Sequence, residues 1–448
     1  SSLLAYDKRH GWRGPLHKEI SGTFEYISAP EHGYPTNWLR TLANAPRPGG
    51  LTPAVVVATD PDGLDALIQT EAGGRRSEAA HEMVRVGFET MGWAREYRDA
   101  NRRGAAPRTP AQLTGAGDVI FLEDREGAWA LSQAPKIQGA LVSIDPRDGA
   151  IQALVGGYDF TTQQYNHATQ ARRQPGSSFK PFFYAGALEE GELTASSVFN
   201  DRPVVLPGGG LEEVYRPKNS GETFRGNIRL REALTRSINL VSLRVVLDFG
   251  PRNVVDFVSR FGFDTRSFPS DVQLAFGGGT IALTPLEVAQ GYAAFANGGF
   301  RVEPYFIQSI RTLEGDLNLV ARPAMACPKC EPMGPGDPPR AAAVMSGEVA
   351  YIMDSLLADV VRRGTGRKAY IELAREDLRG KTGTTNDADT WFTGYNAELV
   401  TSVWVGFDDN SPVGGREWGS TTPLDAWMTY TRGALAEDET YVWDSLPD

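Results

Sequence analysis

The sequence predicts an α+β protein in two parts: a small β-rich domain, and a larger domain in which helices cover one antiparallel sheet. Three observations carry this. Between about 51 and 133, short β-type runs alternate with Asp/Gly turns. Between 139 and 407, two strand-like segments precede a block of helical segments and three further strands follow it. Apolar residues make up 41% of the 448 positions and charged ones 23%, which is material for a large core.

Taken in order, residues 1–50 are rich in Gly, Pro and Trp, as in Gly11-Trp12-Arg13-Gly14-Pro15, and read as an extended connecting segment. The small domain is set at 51–133. There Val55–Ala58 and Leu64–Thr70 flank Asp60-Pro61-Asp62-Gly63, and Val119–Leu122 and Ala128–Leu131 flank Asp124-Arg125-Glu126-Gly127, both hairpins by composition. Met83, Val86, Phe88, Met91 and Trp93 recur at helical spacing, which predicts an inserted helix from Ser77 to about Asp99.

The larger domain is set at 134–448. Gly139–Ile144 and Ala150–Val155 form a strand-turn-strand unit around Asp145-Pro146-Arg147-Asp148-Gly149. Helices are expected over Phe179 to about Glu190, closed by Gly191, and over Leu230 to Asp248, closed by Gly250. Two more run over Pro285 to Asn297 and Gly347 to about Arg363. The first of these opens with Thr284-Pro285-Leu286-Glu287, a capping box with proline at the first helical position. Strands over Leu378–Thr384, Thr390–Tyr395 and Leu399–Phe407 complete the sheet.

Charge and composition narrow the chemistry. Lys+Arg 45 against Asp+Glu 56 leaves a net charge of −11, with only eight lysines and no basic block, which disfavours nucleic-acid binding. No stretch approaches the roughly 20 apolar residues of a membrane helix. The opening Ser1-Ser2-Leu3-Leu4 reads as the start of a mature or trimmed fragment. His10, His17, His32, His81 and His167 are scattered with no H-x-x-x-H pair, so neither metal chemistry nor any other cofactor is expected. Cys327 and Cys330 form C-P-K-C without two further ligands; a loop disulfide or plain thiols fit better than a functional dithiol, and the redox compartment stays open.

Three short motifs occur once each, in the order Ser177-Ser178-Phe179-Lys180, Ser237-Ile238-Asn239 and Lys381-Thr382-Gly383. A serine hydroxyl is a poor nucleophile until a neighbouring base takes its proton. With no histidine nearby, Lys180 can be that base if burial or positive charge lowers its pKa. Ser177 and Lys180 lie three apart at a helix start and so share a face, with the helix N-terminus favouring a developing negative oxygen. Lys381 falls on a strand whose edge, bare at Gly383, could accept a substrate backbone alongside it. Its ammonium and the hydroxyls of Thr382 and Thr384 suit a substrate carboxylate. Ser237 and Asn239 offer a proton shuttle and an amide that orients a peptide group.

Together with their flanks, Arg173-Gln174-Pro175-Gly176-Ser177-Ser178-Phe179-Lys180-Pro181-Phe182, Ser237-Ile238-Asn239 and Lys381-Thr382-Gly383-Thr384-Thr385 strongly resemble the transpeptidase signatures of class A penicillin-binding proteins. Tyr6 to Pro15 is similar to the linker of the 1a type of Gram-negative bacteria, and the 51–133 region to its OB-like domain. The resemblance implies a penicillin-binding/β-lactamase-like transpeptidase fold and acyl transfer: attack on the D-Ala–D-Ala amide of a stem peptide, loss of D-Ala, and transfer to a neighbouring strand's amine. It casts Ser177 as nucleophile, Lys180 as base, Ser237 and Asn239 as shuttle and positioning pair, and Lys381 as catalytic lysine. Thr382, Gly383, Thr384 and Thr385 become substrate-binding, and the backbone N–H groups of Ser177 and Thr384 the oxyanion hole. It further implies β-lactam antibiotics as covalent ligands, an outer-membrane lipoprotein activator docking on the OB-like domain, and a periplasmic location on an inner-membrane anchor. That family also carries a membrane helix and a glycosyltransferase domain, neither of which this sequence shows, so only the cross-linking half of the work is expected of it.

Each motif alone is weak; order, joint occurrence and flanks carry the reading. Gly380-Lys381-Thr382 fails as a phosphate loop, because Arg375 stands where that motif needs glycine. Gly208-Gly209-Gly210 and Gly277-Gly278-Gly279 read as turns, and Gly364-Thr365-Gly366 as a helix exit. Trp12, Trp38 and Trp93 read as packing. A D,D-carboxypeptidase is the nearest alternative, with a β-lactamase or a non-catalytic penicillin sensor behind it. Glu314-Gly315-Asp316-Leu317-Asn318 spells the E-x-x-L-N of a deacylating glutamate, but it sits between two apolar stretches that read as a hairpin.

Overall fold

The computed structural model describes residues 1–18, 34–70, 80–190, 193–207, 214–221, 223–327, 336–385 and 387–436. Contacts divide the chain into two compact units: one formed by 1–138 with 158–164 and 414–416, the other by the remainder. No helix among the described residues is long and apolar enough to cross a membrane.

The first unit is built on a closed five-stranded barrel. Its strands are β1 (Thr52–Asp60), β2 (Gly63–Thr70), β3 (Ala80–Gly87), β4 (Val119–Arg125) and β5 (Ala128–Ser132), in the order β1-β2-β3-β5-β4. Both expected hairpins form, with Asp60 opposite Gly63 and Arg125 opposite Ala128. The expected helix over 77–99 does not. Its first residues, 77–79, lie outside the described residues, and Ala80–Gly87 pairs with β2 along its length. The alternation of buried Val84 and Val86 with exposed neighbours is a period of two, and β-branched residues fit a pleated surface better than a helix. The helical spacing came from Phe88 and Met91, which occupy one 3-10 turn that seats Met91 in the barrel core.

The leading segment is not wholly extended either. Ser2–His10 forms α1 and Thr36–Asn44 forms α2, where Trp38 and Leu42, one turn apart, pack on Val55, Leu67 and Val119 of the barrel. Trp12 and Trp93 meet edge to face at the barrel core.

In the second unit β6 (Gln138–Ile144) and β7 (Ile151–Val155) join β8 (Arg379–Thr385), β9 (Asp389–Tyr395) and β10 (Val400–Gly406) in one sheet of order β8-β9-β10-β6-β7. The two ends of the domain thus meet in one sheet, and β8, bearing Lys381, is at its edge. Between them run α3 (Lys180–Glu189), α4 (Leu230–Thr235), α5 (Asn239–Phe249), α6 (Pro251–Ser259), α7 (Pro285–Ala296), α8 (Gly347–Arg363) and α9 (Arg367–Leu373), with α10 (Thr422–Ala434) following the sheet. The capping box at Thr284 and Glu287 forms as the sequence indicates.

α3 is buried nearly all round, so it is apolar all round. Phe182 alone meets Phe261, Phe263, Tyr292 and Phe295. Lys180 opens this helix and is carried into the core with it. The single helix expected over 230–248 is interrupted: α4 ends at Thr235, α5 begins at Asn239, and Ser237 between them takes a left-handed backbone with φ 57°. A non-glycine residue there is held against a cost of order 1 kcal/mol, and such strain gathers at functional sites.

Candidate active site

Ser177 sits in a 3-10 turn, Gly176–Phe179, that runs straight into α3 and leaves the serine half-buried. Gly176 makes the turn possible. Its φ is +55°, and a Cβ would fall 2.7 Å from the carbonyl oxygen of Thr384 on β8. Ser178, by contrast, points its hydroxyl into the interior, where it finds no partner among the described residues, while its carbonyl accepts from the Tyr292 hydroxyl at 2.7 Å.

Lys180 is wholly buried. Its Nζ lies 2.9 Å from the Ser237 carbonyl oxygen, 2.8 Å from Asn239 Oδ1 and 3.3 Å from Ser237 Oγ. The left-handed backbone at Ser237 presents its carbonyl and hydroxyl together to this amine. A neutral amine has two N–H donors and one lone pair. The carbonyl and Asn239 Oδ1 take the donors, which leaves the lone pair free for a proton. Desolvation, then the charge of Lys381, holds the Lys180 pKa well below the ordinary lysine range.

Lys381, equally buried, donates to Ser237 Oγ at 3.0 Å and to the Thr382 carbonyl at 2.9 Å, and desolvation brings its pKa to about 7. The Ser237 hydroxyl therefore stands between two lysine nitrogens. Asn239 is oriented from outside, its Nδ2 donating to the Lys218 carbonyl at 3.1 Å.

The other β8 residues divide. Thr384 Oγ1 accepts from the Gly419 N–H at 3.1 Å, so its own proton is free to point outward. Thr382 shares a 2.7 Å hydrogen bond with Thr365. Thr385 donates to the Gln174 carbonyl at 3.0 Å, and Trp391 Nε1 donates to the same oxygen at 2.8 Å, so this pair straps the strand to the loop before Ser177. Gly383 meets the expectation of a bare position for a different reason. A Cβ there would lie 2.4 Å from the Pro175 carbonyl and 2.5 Å from Ser178 Oγ, so the missing side chain makes room for the Ser177 turn.

The structure thus brings Lys180, Ser237, Asn239 and Lys381 into one hydrogen-bonded cluster beside the Ser177 turn. It leaves Glu314 and Asn318 exposed on the hairpin that pairs Ser309–Arg311 with Leu317–Val320. Cys327 is disulfide-bonded, while Cys330 and Gly208-Gly209-Gly210 lie outside the described residues. Sequence reasoning missed Thr365, Gly419 and the Lys218 carbonyl, which act by hydrogen bonds across the fold. The one available signal was Gly364-Thr365-Gly366, which does close α8 and also delivers Thr365 to Thr382.

Residues 139–413 match the family model of the penicillin-binding protein transpeptidase domain, and residues 12–137 that of the penicillin-binding protein OB-like domain. Penicillin-binding protein 1A of Pseudomonas aeruginosa is 40% identical over 472 residues, an alignment covering 97% of this chain and 54% of that protein. The chain therefore spans about half the length of this curated relative. The crystal structure of Penicillin-Binding Protein 1A from Haemophilus influenzae superposes with a TM-score of 0.85 at 32% identity, over 100% of this chain and 65% of that one. PonA1 from Mycobacterium tuberculosis, solved in complex with penicillin V, gives a TM-score of 0.57 at 25% identity over 70% of this chain and 82% of its own. With a serine turn, two buried lysines and an S-x-N loop gathered at a sheet edge inside the matched span, the chain belongs to the penicillin-binding protein transpeptidase family.

Proposed function

We propose that the chain is a serine D,D-transpeptidase that cross-links peptidoglycan stem peptides and is acylated by β-lactams. On this reading residues 51–133 are the OB-like module, where an outer-membrane lipoprotein activator docks, and 134–448 carry the chemistry in the periplasm, on a protein held at the inner membrane. The observation that supports it most is the buried Lys180 amine, whose donors are engaged by Ser237 and Asn239 and whose charge is disfavoured by burial and by Lys381.

Ser177 Oγ adds to the carbonyl carbon of the penultimate D-Ala as its proton passes to Lys180. The oxyanion is met by the backbone N–H groups of Ser177 and Thr384, on segments whose backbones touch at Gly176. The proton then reaches the departing D-Ala nitrogen through Ser237, the C–N bond breaks, and an ester remains on Ser177. An acceptor amine adds to that ester, returns a proton by the same route, and expels Ser177 Oγ with a new amide formed. Thr382 and Thr384 receive the terminal carboxylate, and Lys381 supports its charge from beneath through Ser237. The penicillin V bound by the PonA1 relative supports β-lactam acylation here.

Incubation with a stem-peptide donor and an amine acceptor, followed by mass analysis, tests this: cross-linked product from wild type and none from Ser177→Ala is expected. Product from Ser177→Ala, or none from wild type, overturns it.

A further inference from the structure

His167 stands ten residues before Ser177 and is wholly buried. Its ring lies on the Trp404 indole of β10, with centroids 5.4 Å apart and 19° between the planes, and it meets the Tyr165 ring edge-on at 5.0 Å. Both ring nitrogens face oxygen. Nδ1 is 2.7 Å from the carbonyl oxygen of Gly156, the residue after β7, and Nε2 is 2.6 Å from Asp408 Oδ1, two residues past β10. A neutral imidazole has one N–H, whereas a carbonyl and a carboxylate only accept. One nitrogen would then turn its lone pair on an oxygen, in a ring that water does not reach. The imidazolium donates to both, and its charge rests against a carboxylate and the face of an indole.

The network does not stop at Asp408. Arg173 Nη2 donates to the Asp408 backbone carbonyl at 3.3 Å and lies 4.0 Å from its carboxylate. The same guanidinium is bonded to Asn410, lies over the Trp404 ring at 5.0 Å and comes within 3.9 Å of buried Asp389, which accepts from Trp404 Nε1 at 2.8 Å. The charged and titratable groups around His167 are thus Asp408, then Arg173 and Asp389 behind it, with Tyr165 beside the ring. The Arg173 backbone pairs both ways with Leu283, and the next residue, Gln174, supplies the carbonyl that Thr385 and Trp391 strap to β8. The guanidinium is therefore carried by the segment that enters the Ser177 turn.

We infer that His167 is a positioning residue for Ser177 and that it acts only as the imidazolium. Charged, it fixes Asp408, which with Trp404 holds Arg173 and the segment entering the turn. Neutral, it gives up the bond to Asp408, and the turn loses part of its alignment with the Lys180 amine. A small displacement is enough, because attack depends steeply on the placement of the reacting groups. The inference rests on Ser177 being the acylated serine.

His167→Arg carries a charge that no working pH removes, and His167→Gln carries none. Penicillin adduct formation is followed by intact mass for the three proteins from about pH 5 to 9, a span that brackets the titration of histidine. At the acid end wild type and His167→Arg are expected to react alike, with His167→Gln about fivefold slower. As pH rises all three climb with Lys180, but wild type gains less than His167→Arg and approaches His167→Gln. The loss falls on the limiting rate and not on the penicillin concentration that gives half of it. A wild-type rate in constant ratio to both variants across the range overturns the inference. The ring itself is read by ¹⁵N NMR of histidine-labelled wild type, with the His167 signals identified by their absence from either variant. Two protonated ring nitrogens are expected at about pH 7; a neutral tautomer there overturns the inference whatever the variants do. Absence of any adduct on wild type strikes the Ser177 reading instead, and leaves the NMR result standing on its own.

Discussion

Two stretches of this chain carry letters that could serve a serine acyl-enzyme, and they have opposite surroundings. The turn at Ser177 leads into a helix buried among aromatic rings, so its lysine is stripped of water and its charge is disfavoured. The hairpin bearing Glu314 and Asn318 is exposed along both strands, and its glutamate keeps its water. What separates a catalytic residue from a lookalike here is the packing beneath it. A titratable side chain changes its chemistry here only where the fold takes solvent away.

The sharpest test of that contrast is within the turn itself. Ser177→Ala is expected to abolish labelling by a fluorescent penicillin, whereas Ser178→Ala keeps it, because the Ser178 hydroxyl is buried with no hydrogen-bond partner among the described residues. Lys180→Met removes the base while keeping the apolar stem, and acylation should slow by about 10²–10⁴-fold, measured as the rate of adduct formation by intact mass. A loss below tenfold would mean that another group takes the proton.

Packing can be tested independently of chemistry. Phe182→Ala empties the centre of the ring cluster and should cost about 3–5 kcal/mol in urea unfolding. A cost below about 1 kcal/mol would mean that the region supplies no rigid dry wall for Lys180.

Much of this was legible in the sequence, for reasons that can be stated. The hairpins in the barrel and the strands around Lys381 announce themselves by alternation and turn residues. The capping box at Thr284 is a local hydrogen-bond pattern and forms as written. Ser177, Lys180, Ser237, Asn239 and Lys381 were visible as spaced letters. What stayed hidden is what depends on distant chain. The strand over Ala80–Gly87 is set by pairing with β2, and α1 and α2 include residues that pack on the barrel. The break at Ser237 shows no glycine or proline to mark it, and the Thr365–Thr382 pair exists only once α8 and β8 are side by side.

The buried lysines also set a pH dependence whose direction follows from their environment. In the unfolded chain both hold their protons up to about pH 10.4. In the folded chain Lys381 releases its proton at about 7, and Lys180 also well below the ordinary range. Between about 7 and 10 the unfolded state therefore binds more protons, and stability should rise with pH across that window. Lys381→Met should flatten the rise in denaturant midpoint. The acylation rate should climb as Lys180 loses its proton, reaching its plateau before the normal lysine range; a climb only above pH 10 would show Lys180 to be an ordinary ammonium.

The smallest expected effect completes the contrast. A deacylating base must hold a water within hydrogen-bond reach of the ester carbonyl, and must be poised by its surroundings to take that water's proton. Glu314 sits in the Thr312–Asp316 turn of the hairpin, exposed, where the backbone closes on itself through the Thr312 N–H to the Asp316 carbonyl at 2.8 Å. Nothing there removes its hydration, and a glutamate in water has no reason to act on an ester held by a different part of the fold. Asn318 is likewise exposed. The penicilloyl ester on Ser177 should therefore persist after excess penicillin is removed, with the same lifetime in wild type and Glu314→Gln within about twofold. Adduct lifetime read by intact mass decides it. Rapid loss in wild type that Glu314→Gln slows would make the hairpin a working part of the site, and would end the argument that burial is what tells the two stretches apart.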